Sequence, residues 1–145
     1  MPTNIIKSHS SKSGSLFAVN SMDFDAKRFF YVSGVPAGET RGYHAHLTDT
    51  QLLVCLKGEI EVTFRYGEGT SSTFILYENQ SRIMPTMTWA EQTYLTGDDM
   101  LLVLCSEEYD ESEYVRDYKT FKHIRNMLNK TINLNKRGNN DERKT

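Results

Sequence analysis

Short β-rich runs recur along the chain, each cut off by turn residues. SLFAVN (15–20), RFFYVSGV (28–35), QLLVCL (51–56), EIEVTFRY (59–66), STFILY (72–77), SRIMP (81–85), WAEQTYL (89–95) and MLLVLC (100–105) alternate with breakers. The breakers are Gly34, Pro36-Ala37-Gly38, Lys57-Gly58, Gly67-Glu68-Gly69, Glu78-Asn79 and Gly97-Asp98. Short strands at near-regular spacing predict a sandwich or barrel. In EIEVTFRY the residues Ile60, Val62 and Phe64 share one face and the polar residues the other. MLLVLC has no such alternation and predicts a strand buried on both faces. After Ser106 the period changes: Tyr114, Tyr118, Phe121, Ile124 and Leu128 fall at helical spacing. A helix is therefore expected somewhere in 111–129. Residues 129–145 carry almost no apolar side chains and are expected to be a disordered tail, so that 1–128 form the single domain.

Composition narrows the classes. The chain has 145 residues, 38% hydrophobic and 25% charged, enough for one core. A net charge of −2 gives no basic excess for nucleic-acid binding. No apolar run approaches the ~20 residues of a membrane span, and the N-terminus lacks a signal-peptide core. A cytoplasmic location is expected. Cys55 and Cys105 sit inside apolar runs, at a spacing that fits neither a zinc pair nor a redox motif; buried, reduced thiols are expected. The charges in 107–117 are read as a solvated face and Tyr109, Tyr114 and Tyr118 as packing residues.

The segment Gly38-Glu39-Thr40-Arg41-Gly42-Tyr43-His44-Ala45-His46 carries the candidate chemistry. Residues two apart on a strand share a face, so His44 and His46 project together, with Cα atoms roughly 6.5 Å apart. The spacing Gly38-x5-His44-x-His46-x4-Gln51-x6-Gly58 follows the first motif of the cupins, except that Gln51 replaces the usual Glu. In the second motif, Pro85 to Glu91, the expected third His is Ala90. Two of the four usual metal ligands are thus missing. No metal and no other cofactor is expected, and the histidines are free for proton transfer near neutral pH.

The run Arg41-Gly42-Tyr43-His44-Ala45-His46 resembles the signature of the dTDP-4-oxo-6-deoxyglucose 3,4-ketoisomerases, WxcM-like cupin sugar isomerases. So do Gln51 with Val54-Cys55-Leu56 and Gly58, Pro85 with Trp89 and Glu91, Leu102-Val103-Leu104, Tyr109-Asp110-Glu111, and Tyr114-Val115-Arg116-Asp117-Tyr118. The similarity runs from about Gly14 to Phe121. It departs at Ala90 and at Ser13, where the family commonly has His and Arg. It implies an all-β cupin jelly-roll β-barrel with a short C-terminal helical segment, and a homodimer with an exchanged N-terminal strand. The implied substrate is a dTDP-linked 4-keto-6-deoxy sugar, with products feeding amino-deoxysugar synthesis for surface glycans. The alternative is a non-catalytic cupin module that binds a nucleotide sugar or glycan.

Moving a carbonyl from C4 to C3 requires a base for the C3 proton, an enediol, and groups that handle the oxygen protons. His44 is assigned as the base at carbon, with His46 as the alternative or its partner. Tyr31 is a candidate to shuttle a proton between O3 and O4, against a plain core role. Arg41, always charged, suits the pyrophosphate or the enediolate. Gln51 is a candidate to orient an imidazole or bind sugar. Trp89 stacks on ligand or fills core, and Glu91 orients a histidine or is a solvated charge.

Overall fold

The computed structural model describes residues 6–19 and 23–141. Eleven strands and one helix follow in order: β1 (Ile6–Ser11), β2 (Gly14–Val19), β3 (Arg28–Ser33), β4 (Thr40–His46), β5 (Gln51–Lys57), β6 (Glu59–Gly67), β7 (Thr70–Tyr77), β8 (Ser81–Met84), β9 (Trp89–Tyr94), β10 (Met100–Cys105), β11 (Tyr114–Val115) and α1 (Tyr118–Asp141). A four-stranded sheet runs β3-β10-β5-β8, a five-stranded sheet β11-β4-β9-β6-β7, and β1 pairs with β2 as a separate hairpin. Every pairing is antiparallel. The two larger sheets pack face to face as a jelly-roll sandwich whose ladders end at sheet edges.

The sequence period explains most of this core. Ile60, Val62 and Phe64 meet Leu53, Cys55, Leu101, Val103 and Cys105 between the sheets, and both cysteines are buried free thiols. Burial pushes both thiols up to about 11, which keeps them protonated and unreactive at neutral pH. The strand buried on both faces is β5, whose residues Gln51 to Cys55 are all buried, and not β10, which alternates. Along β10 the outward residues Leu102 and Leu104 are only half-buried, and they lie beside the edge strand β3, whose outward Phe29 and Tyr31 are 68% and 63% exposed. Strand β1 was not foreseen, because IKSHSS has no apolar alternation.

A second core lies on the outer face of the five-stranded sheet, where Ala45, Met87, Trp89 and Val115 receive Phe121, Tyr118 and Ile124 of α1. The helix starts at Tyr118 and not at 111 because Asp117 caps it, its carboxylate accepting from the Thr120 N–H at 2.9 Å. It continues to Asp141 where a disordered tail was expected from Asn129; residues 142–145 lie outside the described part. Met127, Leu128, Ile132 and Leu134 remain exposed, and no proline interrupts the helical hydrogen bonding. Among the described residues no helix is long and apolar enough to cross a membrane.

Candidate active site

Strand β4, between β11 and β9 in the five-stranded sheet, carries Arg41, His44 and His46. Its ladder with β9 pairs Arg41 with Gln92, Gly42 with Glu91 and His44 with Ala90, with a register shift between Gly42 and His44. Residues directly opposite on a ladder share a face. Arg41 and His44 therefore both face inward with Gln92 and Ala90, although an odd spacing of three separates them. The bulge is built from Gly42 (φ 102°) and Tyr43 (φ 58°). A Cβ at Gly42 would meet the Ala90 carbonyl oxygen at 2.7 Å, so glycine is required there. Past the bulge the period of two resumes and brings the His44 and His46 rings to 4.9 Å.

The two imidazoles stand in different settings. His44 is half-buried, and its Nδ1–H donates to the Gly42 carbonyl at 3.0 Å, leaving Nε2 as the basic atom. Burial holds its pKa below the usual 6.5, outweighing the carbonyl that favours the charged form; nearby His46 and Arg116 push the same way as burial. His46 is 1% exposed. Its Nδ1 lies 2.5 Å from Glu113 Oε1, and its Nε2 is buried without a hydrogen-bond partner.

Behind the histidines lies a buried polar network. Glu113 also accepts from the backbone N–H groups of Thr48 and Asp49 at 3.3 Å. Asp49, fully buried, accepts from Gln51 Nε2 at 2.9 Å, Ser106 Oγ at 3.2 Å, the Glu107 N–H at 3.1 Å and Arg28 Nη2 at 3.4 Å. One ligand atom each of His46, Asp49 and Glu113 lie within 4.8 Å of one another. Their carboxylate oxygens already accept from protein donors, and Ala90, opposite His44, offers no ligand. That donor set stabilises buried carboxylates by hydrogen bonding.

The remaining sequence candidates divide. Gln51 reaches the site indirectly, through Asp49, which lies 3.9 Å from His46 Nδ1. Tyr31 pairs with Leu102 on the outward face of the four-stranded sheet, opposite to the inward Val32, so one chain does not bring it to His44. Trp89 is 4% exposed and packs edge-on against Tyr118 at 5.0 Å, in the core under α1. Glu91 is on that same outer face, paired with Arg65 at 2.7 Å, so it orients no histidine. That role falls to Glu113, which sequence reading had placed among solvated charges. Tyr114 is likewise more than a packing residue. It pairs with His46 in the β11–β4 ladder, and its ring lies 4.4 Å from His46 and 5.1 Å from His44. Arg28 approaches its hydroxyl at 3.4 Å. No local signal marks Glu113, because its partner His46 is 67 residues away in sequence.

The protein-family model described as "FdtA: WxcM-like, C-terminal" matches residues 3–126. The TDP-4-oxo-6-deoxy-alpha-D-glucose-3,4-oxoisomerase of Aneurinibacillus thermoaerophilus is 33% identical over 128 residues, covering 86% of this chain and 89% of that protein. Among solved structures, the sugar 3,4-ketoisomerase QdtA of Thermoanaerobacterium thermosaccharolyticum, in complex with TDP, superposes with a TM-score of 0.81 at 28% identity, covering 88% of this chain and 95% of that one. A mutant of the same enzyme in complex with TDP-4-keto-6-deoxyglucose gives 0.78 at 28% identity, covering 84% and 91%.

Proposed function

The chain belongs to the FdtA (WxcM-like, C-terminal) family, and from that premise we propose that it converts TDP-4-keto-6-deoxyglucose to a TDP-linked 3-keto-6-deoxyhexose by metal-free acid–base catalysis. It is an isomerase of the nucleotide-sugar 3,4-ketoisomerase type. The observation that carries the mechanism is His44: an inward, half-buried imidazole, tied through Nδ1 to Gly42, with a depressed pKa that keeps Nε2 free at neutral pH. His44 removes the C3 proton, which is acidic because it lies α to the C4 carbonyl. Arg41, on the same face, meets the diphosphate. His46, closed off from solvent and locked by Glu113, holds the base in place and does not itself reach carbon. On this reading the enzyme acts in the cytoplasm and serves deoxyamino-sugar synthesis, since a 3-keto product is the carbonyl that an aminotransferase would take up.

Incubation with TDP-4-keto-6-deoxyglucose and NMR of the product tests this. A 3-keto sugar is expected, at a rate unchanged by EDTA. An unchanged substrate that nevertheless binds would replace the enzyme by a binding module, and activity lost to EDTA and restored by a metal would overturn the metal-free mechanism.

The assembly we propose is a homodimer. Among the described residues the β1–β2 hairpin pairs only with itself, and it exposes Leu16 and Phe17, at 64% and 46%. The outer face of the four-stranded sheet exposes Phe29 and Tyr31 beside half-buried Leu102 and Leu104. Exchange of the hairpin onto a second copy buries such surface. Light scattering at micromolar concentration is expected to give twice the chain mass of 16.7 kDa, and a monomer would rule the exchange out.

A further inference from the structure

Isomerisation needs a group that protonates O4 as C3 is deprotonated and then accepts the O3 proton as C4 is protonated. Two positions on β3 next to the site are excluded: Tyr31 faces outward, and inward Phe30 has no hydroxyl. The buried His46–Glu113 pair is closed to substrate. Among the described residues one phenol remains beside His44. Tyr114 is half-buried and touches both imidazole rings. Two guanidinium groups surround it: Arg28 Nη2 is 3.4 Å from the hydroxyl, and the Arg116 Cζ lies over the ring at 4.6 Å, itself held by two bonds to Glu111 at 2.7 and 3.0 Å. The hydroxyl thus has a guanidinium donor beside it, and the ring has a second guanidinium over its face.

Resting on the ketoisomerase reading above, we propose that Tyr114 is the second catalytic residue, a phenol that carries the proton between O4 and O3. In the first step His44 Nε2 takes the C3 proton, and the C3–H electrons form the C3=C4 bond. The carbonyl electrons move to O4, which takes the Tyr114 proton. The enediol is neutral, with imidazolium and phenolate on either side of it. In the second step the phenolate takes the O3 proton and the O3–H electrons form the C3 carbonyl. The C3=C4 electrons take the proton of the His44 imidazolium at C4. Both side chains return to their starting states and no redox partner is consumed.

The test compares wild type, Tyr114→Phe and His44→Asn by turnover, by exchange of the C3 proton with deuterated solvent, and by affinity for TDP. Phenylalanine keeps the ring against both histidines and Arg116, so the variant retains the packing; circular dichroism checks the fold. The expected result for Tyr114→Phe is kcat reduced by about 10²–10⁴-fold, C3 exchange slowed with it because O4 loses its acid, and TDP affinity unchanged. Turnover near wild type in Tyr114→Phe, with His44→Asn inactive, would overturn the role of Tyr114 and leave the ketoisomerase reading standing. A fall in TDP affinity as large as the fall in kcat would assign Tyr114 to binding and overturn the role as well. A wild-type protein inactive on TDP-4-keto-6-deoxyglucose would instead remove the reading on which the role of Tyr114 rests.

Discussion

Replacing His44 by asparagine is expected to lower turnover of TDP-4-keto-6-deoxyglucose by about 10²–10⁴-fold, the usual cost of losing one acid–base group. Asparagine is close to imidazole in reach and can still donate to the Gly42 carbonyl, so the bulge at Gly42–Tyr43 and TDP binding are expected to survive. Its amide takes up no proton near neutral pH, so exchange of the substrate C3 proton with deuterated solvent should stop as well. In the wild type, kcat/KM should fall on the acid side with a midpoint below 6.5. The sign follows from burial: desolvation disfavours the imidazolium, so the basic form persists to lower pH and is lost only as pH drops through the depressed pKa. His46→Asn should behave differently. Its Nε2 is buried away from solvent, so turnover falls because His44 and Tyr114 lose a packing neighbour, while some C3 exchange remains. Wild-type exchange in His44→Asn, with exchange abolished in His46→Asn, would reverse the assignment of the base.

The largest stability effect is expected at Glu113. Glu113→Ala removes a 7% exposed carboxylate from a pair whose imidazole is 1% exposed, leaving His46 Nδ1 and the N–H groups of Thr48 and Asp49 without their acceptor. Breaking a buried, hydrogen-bonded pair from one side typically costs about 3–5 kcal/mol, a large part of the ~5–15 kcal/mol that holds a domain folded. Urea unfolding should show a correspondingly lower midpoint at an unchanged slope. Glu113→Gln should cost less but still destabilise, because an amide can accept from His46 or from the two backbone N–H groups, but not from both with one oxygen. Glu113→Ala within about 1 kcal/mol of wild type would show that the carboxylate contributes no more than an exposed ion pair does.

Eight of the strands were legible because each is a local pattern. Short apolar runs, alternating or continuous, cut off by turn residues need no partner to be recognised, and β6 shows the alternating kind in its regular burial. The His44–His46 pair was legible for the same reason, since two residues on one strand share a face in any fold. Arg41 was harder: it reaches the His44 face only because the β4–β9 ladder absorbs Tyr43 as an extra residue, and that bulge depends on the pairing partner. Trp89 and Glu91 follow the alternation of β9, but which face is inner depends on α1 having chosen the other side to cover. Tyr31 was a candidate for the site or the core and lies outward; the RFFYV run is apolar on both faces, so its period does not tell which face is inner. The network of Glu113, Asp49, Arg28 and Tyr114 was invisible, since its members come from separate segments: Arg28 opens a predicted strand, Tyr114 reads as a packing residue and Glu113 as a solvated charge. The sequence by itself therefore determined what periodicity encodes: the strands, the histidine pair and the missing metal ligands. The tertiary structure alone decided which face is inside and which carboxylate meets which imidazole, because burial and ion pairing depend on what packs opposite a residue, across separations as long as the 67 positions between His46 and Glu113.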